Sequence, residues 1–187
     1  MDALKLGKSR LINTLVKMPG NNMESRLRRW IHDPKKLLNG ADIGAGQTVL
    51  EAGCGTGFFT LTAAEIIGET GHLIALDPVS GYVDRVKEKV RAAGLGNVEV
   101  ARRDALATGL QAESIDVALL YGVLPFPTLP LDRLLPEMHR VLKPGGTLAV
   151  WLFPISFGVP AIILRSGLFT DQGRKEGVFR YRRSGPE

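Results

Sequence analysis

A glycine-rich stretch, VLEAGCGTGFFT at residues 49–60, holds the residues whose types and spacing are best suited to chemistry. Gly53, Gly55 and Gly57 stand at every second position, and Glu51 comes two residues before the first of them. Glycine has no Cβ, so its backbone adopts positive φ and allows another group to lie directly against it. The spacing therefore predicts a tight turn with a ligand close to its backbone.

The residues around the turn narrow the kind of ligand. The dinucleotide fingerprint G-x-G-x-x-G/A requires a small residue at its sixth position, where this chain has Phe58. A phosphate at the turn would also be repelled by a carboxylate at Glu51, whereas a cationic or zwitterionic ligand would not. The charge of the turn therefore favours a ligand without phosphates.

Apolar segments alternate with amphipathic ones around this turn, and these segments must position it. Strands are predicted at 48–53, 72–77, 97–104, 114–122 and 147–153, and helices at 58–68, 80–94 and 131–146. Segments such as LIAL and VALL are apolar throughout, which is typical of parallel strands covered on both faces. The alternation predicts βαβ units in an α/β fold, with the glycine turn after the first strand.

The two ends of the chain depart from this rhythm. Short helices are predicted at 9–18, 24–32 and 35–40, so residues 1–40 are interpreted as a helical extension before a domain at 41–187. A further helix is predicted at 158–169. The stretch 177–183 alternates apolar and basic residues and is predicted to be a terminal edge strand, in a hairpin that begins near residue 168.

Composition favours one globular domain of 187 residues. Cys54 is the only cysteine, and no Cys/His cluster has zinc spacing, so neither an internal disulfide nor a metal site is predicted. No apolar run approaches the roughly 18 residues of a membrane span. The N-terminal segment lacks the apolar core of a signal peptide. A cytoplasmic protein without a membrane span is therefore expected.

The net charge of +5 is concentrated at the two ends of the chain. Residues 1–40 carry nine Lys/Arg and three acids, and residues 165–187 carry six and three, while the middle is acidic overall. Basic ends indicate contact with nucleic acid or a membrane surface, or simply a solvated surface. No aromatic residues interleave with the basic ones, so nucleic acid is an alternative partner and not the favoured one.

Five motifs follow one another in an order found in a known family. They are EAGCGTG (51–57), LIALD (73–77), RRDA (102–105), IDVALLYG (115–122) and EMHRVLKPGGTLAVW (137–151). On these motifs residues 35–153 resemble the class I S-adenosylmethionine-dependent methyltransferases, most closely the type 11 group of small-molecule enzymes that includes those of ubiquinone biosynthesis. The resemblance implies a Rossmann-like, doubly wound, mostly parallel sheet with helices on both faces and an antiparallel C-terminal edge strand.

The resemblance also implies a cofactor, S-adenosylmethionine, with S-adenosylhomocysteine as its product. Asp77 would accept hydrogen bonds from the two ribose hydroxyls and Asp104 from the adenine amino group, as carboxylates can. Glu51 would hold the charged amino end of the cofactor, directly or through water. The full set of predicted cofactor contacts is Glu51, Gly53, Cys54, Gly55, Gly57, Asp77, Pro78, Asp104, Ala105 and Tyr121. For Cys54 and Tyr121, simple packing is the alternative.

No catalytic side chain is predicted, because an activated sulfonium mainly requires an aligned nucleophile and exclusion of water. The methyl acceptor is expected over residues 121–132, whose three prolines and apolar side chains indicate a small apolar or planar molecule. The N/D-P-P-Y tetrad of enzymes that methylate amides or adenine is absent there. The helix at 24–32, with three arginines and Trp30, is predicted to be a lid over the site.

Two other functions stay open at this point. The basic ends of the chain prompt the first, methylation of RNA or protein. The second is a non-catalytic binding or regulatory module that keeps the cofactor fold, since a fold does not establish an activity. The oligomeric state is not predicted.

Overall fold

The structure, a computed structural model, describes residues 33–124, 129–152 and 158–185. The helices predicted at 9–18 and 24–32, including the lid, lie outside the described residues. The described helices and strands are α1 (Pro34–Gly40), β1 (Thr48–Ala52), α2 (Thr60–Ile67), β2 (His72–Leu76), α3 (Ser80–Ala92), β3 (Val98–Ala101), β4 (Ile115–Tyr121), α4 (Leu131–Val141), β5 (Leu142–Trp151), α5 (Val159–Arg165), β6 (Phe169–Lys175) and β7 (Val178–Arg183).

The strands of the described chain form one sheet in the order β3-β2-β1-β4-β5-β7-β6. Strands β1 to β5 are parallel, and β1 lies between β2 and β4. The strand order therefore reverses between β1 and β4, and ligands of doubly wound sheets bind beyond the carboxyl ends at such a switch point. The predicted α/β, doubly wound fold class is confirmed.

Helices cover both faces of the sheet because its central strands are apolar on both sides. One face carries α1, α2 and α3, which bury Leu38, Ile67 and Val86 completely. The other carries α4 and α5, with Met138 and Ile163 equally buried. Removal of this apolar surface from water is the main stabilising contribution. With both faces covered, the loops at the strand ends are the part of the sheet that remains open to a ligand.

The predicted antiparallel C-terminal strand is confirmed, but the prediction that 177–183 forms the edge of the sheet is wrong. Strand β7 pairs with β5 on one side and with β6 on the other, so β6 is the edge. Val178 and Tyr181 of β7 are buried, whereas most of β6 is exposed. The hairpin turns at Glu176 and Gly177, both with positive φ, as in a two-residue hairpin loop.

Two predicted helices end earlier than the sequence indicated. Helix α4 ends at Val141, before the KPGG segment, because the amides of Glu113 and Ser114 bond to carbonyls of its last turn and bring the chain into β5. Helix α5, predicted to continue to residue 169, ends at Arg165. Within the described ranges, no helix has both the length and the apolar character needed to cross a membrane.

Candidate cofactor-binding site

The strand register brings together the carboxyl ends of β1, β2 and β3, where the glycine turn, Asp77 and the segment with Asp104 begin. Ala52 of β1 pairs with Leu76 of β2, and Leu76 pairs with Ala101 of β3, so the three strands end level with one another. The amide of Gly53 donates to the carbonyl of Leu76 at 2.8 Å, and the amide of Asp77 to that of Ala101 at 3.3 Å. The glycine turn, Asp77 and the loop after β3 are therefore neighbours.

Two of the three glycines in the turn lie close against valine side chains of the same chain, Gly53 more tightly than Gly57. Values of φ are 88°, 52° and 83° at Gly53, Gly55 and Gly57. A Cβ on Gly53 would lie 2.4 Å from Cγ1 of Val123, and one on Gly57 would lie 3.1 Å from Cγ2 of Val86. The sequence analysis attributed the close approach to a ligand. At these two positions the structure shows that valines of the same chain make it.

Asp77 joins the glycine turn to the turn that begins α3. Its Oδ2 accepts from the amide of Gly55 and its Oδ1 from the amide of Val79, both at 2.9 Å. The residue is 6% exposed, and burial raises the pKa of its carboxyl to about 6 despite these two bonds. Each carboxylate oxygen keeps a further lone pair, so both can still accept from a ligand hydroxyl.

Glu51 is buried at the end of β1, where it accepts a 2.6 Å hydrogen bond from the hydroxyl of Thr60. Burial raises the pKa of Glu51 to about 8, against the effect of the Thr60 bond and with a contribution from the charge of Asp77. The ligand-free side chain is therefore mostly protonated at pH 7. The phosphate repulsion predicted for Glu51 is weaker than the sequence indicated, and Asp77 carries the negative charge here.

The sequence analysis missed Thr60 as the partner of Glu51. The signal for it is a hydroxyl-bearing residue at the first position of the helix that follows the turn, nine residues after the buried acid. A hydroxyl at that point can reach back to the end of the preceding strand. Its hydrogen bond holds the carboxyl group of Glu51 beside the start of α2.

Cys54 and Pro78 have structural partners within the described chain. Cys54 is a free, buried thiol that packs with Val83 and Val86 of α3, and burial raises the pKa of the thiol. This environment favours the packing interpretation of Cys54. Pro78 is half-buried, and its carbonyl accepts from Nε of Arg102 at 3.0 Å. Both residues thus contact other parts of the same chain.

The side chain of Tyr121 is directed to other partners than a cofactor. Its hydroxyl donates to the carbonyl of Leu37 in α1 at 2.8 Å, and its ring lies edge-on to Phe59 with centroids 5.0 Å apart. Burial raises the pKa of the phenol. We therefore interpret Tyr121 as a packing residue and leave its side chain out of the proposed cofactor contacts.

Asp104 and Ala105 lie in a tight turn that begins three residues after the last residue of β3. Oδ1 of Asp104 accepts from the amide of Leu106 at 2.9 Å, and its carbonyl accepts from the amide of Ala107 at 3.1 Å. Asp104 is half-buried, while Ala105 packs into the core on the α4 face. The bond from Arg102 to the carbonyl of Pro78 joins the segment that leads from β3 to this turn to the loop that carries Asp77.

The acceptor side of the site is described in part, since 125–128 lie outside the described residues. Leu124, predicted to line an apolar wall, is 2% exposed and packs in the core, so it does not face an acceptor. In the part of the chain that the structure describes, no three or more His, Cys, Asp or Glu side chains are grouped to hold a metal ion.

Comparisons with known proteins extend these observations. A family model described as a methyltransferase domain matches residues 49–146, just over half of the chain. Demethylmenaquinone methyltransferase from Oceanobacillus iheyensis is 32% identical over 122 residues, which cover 65% of this chain and 49% of that relative. The chain thus spans about half the length of the curated relatives it matches.

Solved structures share the fold over most of the chain. A SAM dependent methyltransferase from Aquifex aeolicus has a TM-score of 0.71 and 24% identity, covering 91% of this chain and 97% of that one. The 4+2 cyclase SpnF has the same TM-score at 20% identity, covering 92% and 74%.

These two likenesses show the fold, whereas the family match also covers the segments that make up the candidate site. It includes the glycine turn, the acids at 77 and 104, and the KPGG segment. On this match, the chain belongs to the methyltransferase domain family.

Proposed function

We propose that the protein is an S-adenosylmethionine-dependent methyltransferase acting on a small, apolar or planar acceptor. The observation that carries the proposal is the pair of buried acids, Glu51 and Asp77, beside a glycine turn at the switch point of the sheet. No described basic side chain is among the groups that shift the pKa of either acid. A ligand that brings positive charge and hydroxyl donors would stabilise both.

The chemistry of the donor set fits such a cofactor. The ribose diol has two hydroxyls for the two oxygens of Asp77, the adenine amino group can donate to Asp104, and the charged amino end suits Glu51. When bound, the cofactor supplies a methyl group already activated on a sulfonium. The chain's own residues then bind and orient it, and Asp77 at the same time fixes Gly55 in the turn beneath it.

The acceptor is proposed from two indications. The curated relatives are named demethylmenaquinone methyltransferases, and residues 125–132 hold three prolines together with three apolar side chains, Phe126, Leu129 and Leu131. Both support a quinone-type ring as the methyl acceptor. Action in the cytoplasm, without a membrane span, is part of the same proposal.

One observation favours a different function on the same fold. The similarity to SpnF, which is named as a cyclase, shows that this architecture also occurs in proteins named for other reactions. A cofactor-binding module without methyl transfer is therefore the second candidate. Methylation of RNA or protein, prompted by the basic ends of the chain, is the third.

Calorimetry with S-adenosylhomocysteine tests the cofactor site. Asp77→Ala should weaken binding by about 1.5–3 kcal/mol for each charge-assisted hydrogen bond lost. The control, Asp84→Ala, changes an exposed acid on α3 and should leave the affinity unchanged. Asp77 also bonds to Gly55 and Val79, so the unfolding temperature of each variant is measured alongside. Asp77→Asn is a milder variant that keeps the shape of the side chain. If this protein is folded and binds with wild-type affinity, Asp77 does not contact the cofactor.

Methyl transfer from labelled cofactor separates the three candidate functions. Transfer of label to an added demethylated quinone, which becomes a labelled methylated quinone, or to the small-molecule fraction of an extract supports the proposal. Label in RNA or protein supports macromolecular methylation instead. Binding of the cofactor without any transfer supports the non-catalytic module, and no binding at all contradicts the proposed cofactor site.

A further inference from the structure

Thr108, Glu137 and Arg140 form a hydrogen-bonded cluster, here named the latch, between the β3–β4 loop and α4. Oε1 of Glu137 accepts from the hydroxyl of Thr108 at 2.6 Å and from its amide at 2.8 Å. The guanidinium of Arg140 donates to both oxygens of Glu137 at 2.8 Å. Bonds to an ionised group are stronger than neutral ones, so the latch holds one point of the loop firmly against the helix.

The bonds around the latch extend along the loop. Nη1 of Arg140 donates to the carbonyl of Leu110 at 2.9 Å, and Nη1 of Arg103 donates to that of Thr108 at 3.1 Å. Thr108 is fully buried, and the side chain of Glu137 is 12% exposed. Although burial opposes it, the bonds from Arg140 and Thr108 hold the pKa of Glu137 below its usual value. Glu137 therefore stays ionised at neutral pH.

The loop that the latch holds also carries Asp104. Only three residues separate Asp104 from Thr108, and the amides of Leu106 and Ala107 within that interval bond back to Asp104. Ala105 packs into the core beside α4. The bonds of this short turn therefore link the position of Asp104 to that of Thr108.

From this geometry we infer that the latch positions Asp104 to read the amino group of an adenine ring. The inference rests on the proposed function, because it requires an adenosyl ligand at the ends of β2 and β3. Thr108 and Glu137 are positioning residues, since they bond to the loop and to each other. Adenine offers an amino donor to a carboxylate where hypoxanthine offers a carbonyl oxygen, so the latch sharpens selectivity between these two bases.

Calorimetry with S-adenosylhomocysteine and S-inosylhomocysteine tests this role. Thr108→Val removes the hydroxyl but keeps the side-chain size and the amide bond to Glu137. We expect the affinity for the adenosyl ligand to fall roughly 3–10-fold, as for one or two lost hydrogen bonds. The affinity for the inosyl ligand should change much less. The ratio of the adenosyl affinity to the inosyl affinity should therefore fall by a similar factor. Thr170→Val, on the exposed edge strand β6, is the matched control and should keep wild-type selectivity.

Glu137→Gln provides a second variant, because it keeps the shape of the side chain and removes its charge. It should also lower the ratio of the adenosyl affinity to the inosyl affinity. Unfolding temperatures are recorded for every protein. Unchanged selectivity in a folded variant would overturn the inference, as would an equal loss of affinity for both ligands. Wild-type protein that binds the adenosyl ligand without base selectivity would also overturn it while leaving the proposed function standing. Wild-type protein that binds neither ligand would refute the proposed function itself.

Discussion

At the scale of single residues, Glu51 is a buried acid whose charge changes within the range around neutral pH. Its pKa of about 8 belongs to the ligand-free protein, where burial favours the protonated form. A cation bound beside it favours the ionised form and lowers that pKa. Binding then releases a proton, so the affinity for a cationic cofactor should rise as the pH rises towards 8.

We expect Glu51→Gln to remove part of this pH dependence, because glutamine does not titrate and can still accept from Thr60. The measurement is the affinity for S-adenosylmethionine by calorimetry between pH 6 and pH 9. The amino group of the ligand itself titrates near 8, so the difference between wild type and variant is the informative quantity. S-adenosylhomocysteine lacks the sulfonium charge and should show a smaller difference. Identical pH profiles for both proteins would contradict the role of Glu51.

At the scale of elements, the turn between β1 and α2 depends on glycine at residue 53. Gly53→Ala would place a methyl group 2.4 Å from Val123 and keep φ near 88°. Backbone strain of this kind contributes on the order of 1–3 kcal/mol, and displacement of Val123 adds to it. Urea unfolding should therefore show a clear loss of stability. Gly44→Ala is the control, because no atom lies within 4 Å of the added carbon.

A double variant separates the two contributions at this turn. Val123→Ala removes the contact and leaves the strain at residue 53. Gly53→Ala should therefore lower stability less in the Val123→Ala background than in the wild-type protein. Gly53→Ala protein as stable as Gly44→Ala protein would contradict this account of the turn.

Sequence periodicity was sufficient for those elements whose pattern is local. Strands such as β2 and β4 contain continuous apolar runs, and α3 has a regular apolar stripe, so their positions follow from adjacent residues. The place of β7 in the sheet cannot be predicted from adjacent residues, because β7 pairs with β5, from which a helix and a hairpin separate it in the sequence. The boundary of α4 was missed for the same reason, since bonds from the residues before β4 set it.

The site shows the same division between local and distant information. The glycine turn and the acid that follows β2 could be identified from short motifs. The contact of Val123 with Gly53 and the bond from Tyr121 to Leu37 join residues far apart in the sequence, and no short pattern indicates them. The pKa of Glu51 likewise depends on complete burial, which only the packed structure provides.

At the scale of the whole molecule, Asp42 ties the connection between α1 and β1 to the C-terminal hairpin. Its carboxylate forms ion pairs with Lys175 of β6 and Arg180 of β7. The same region packs closely, since a Cβ on Gly40 would lie 2.7 Å from the carbonyl oxygen of Lys175. The bond from Lys175, aided by the charge of Arg180, holds the pKa of Asp42 below its usual value of 3.8.

Asp42→Asn should therefore lower stability at pH 7 by less than about 1 kcal/mol, because the paired side chains are 25–47% exposed and solvent screens them. Asparagine tolerates the positive φ of 55° at this position, so the backbone is not perturbed. A carboxyl group with a lowered pKa contributes stability above 3.8 that is lost as the pH falls through the folded-state pKa. Urea unfolding should show the difference in stability between wild type and variant at pH 7, and this difference should shrink below pH 3.8 and in 1 M salt.

The control is Glu176→Gln, which breaks the exposed ion pair with Lys36 at a residue of similar φ and should have little effect on stability. A difference that persists unchanged at low pH and high salt would mean that the ion pairs do not join the hairpin to the body of the molecule.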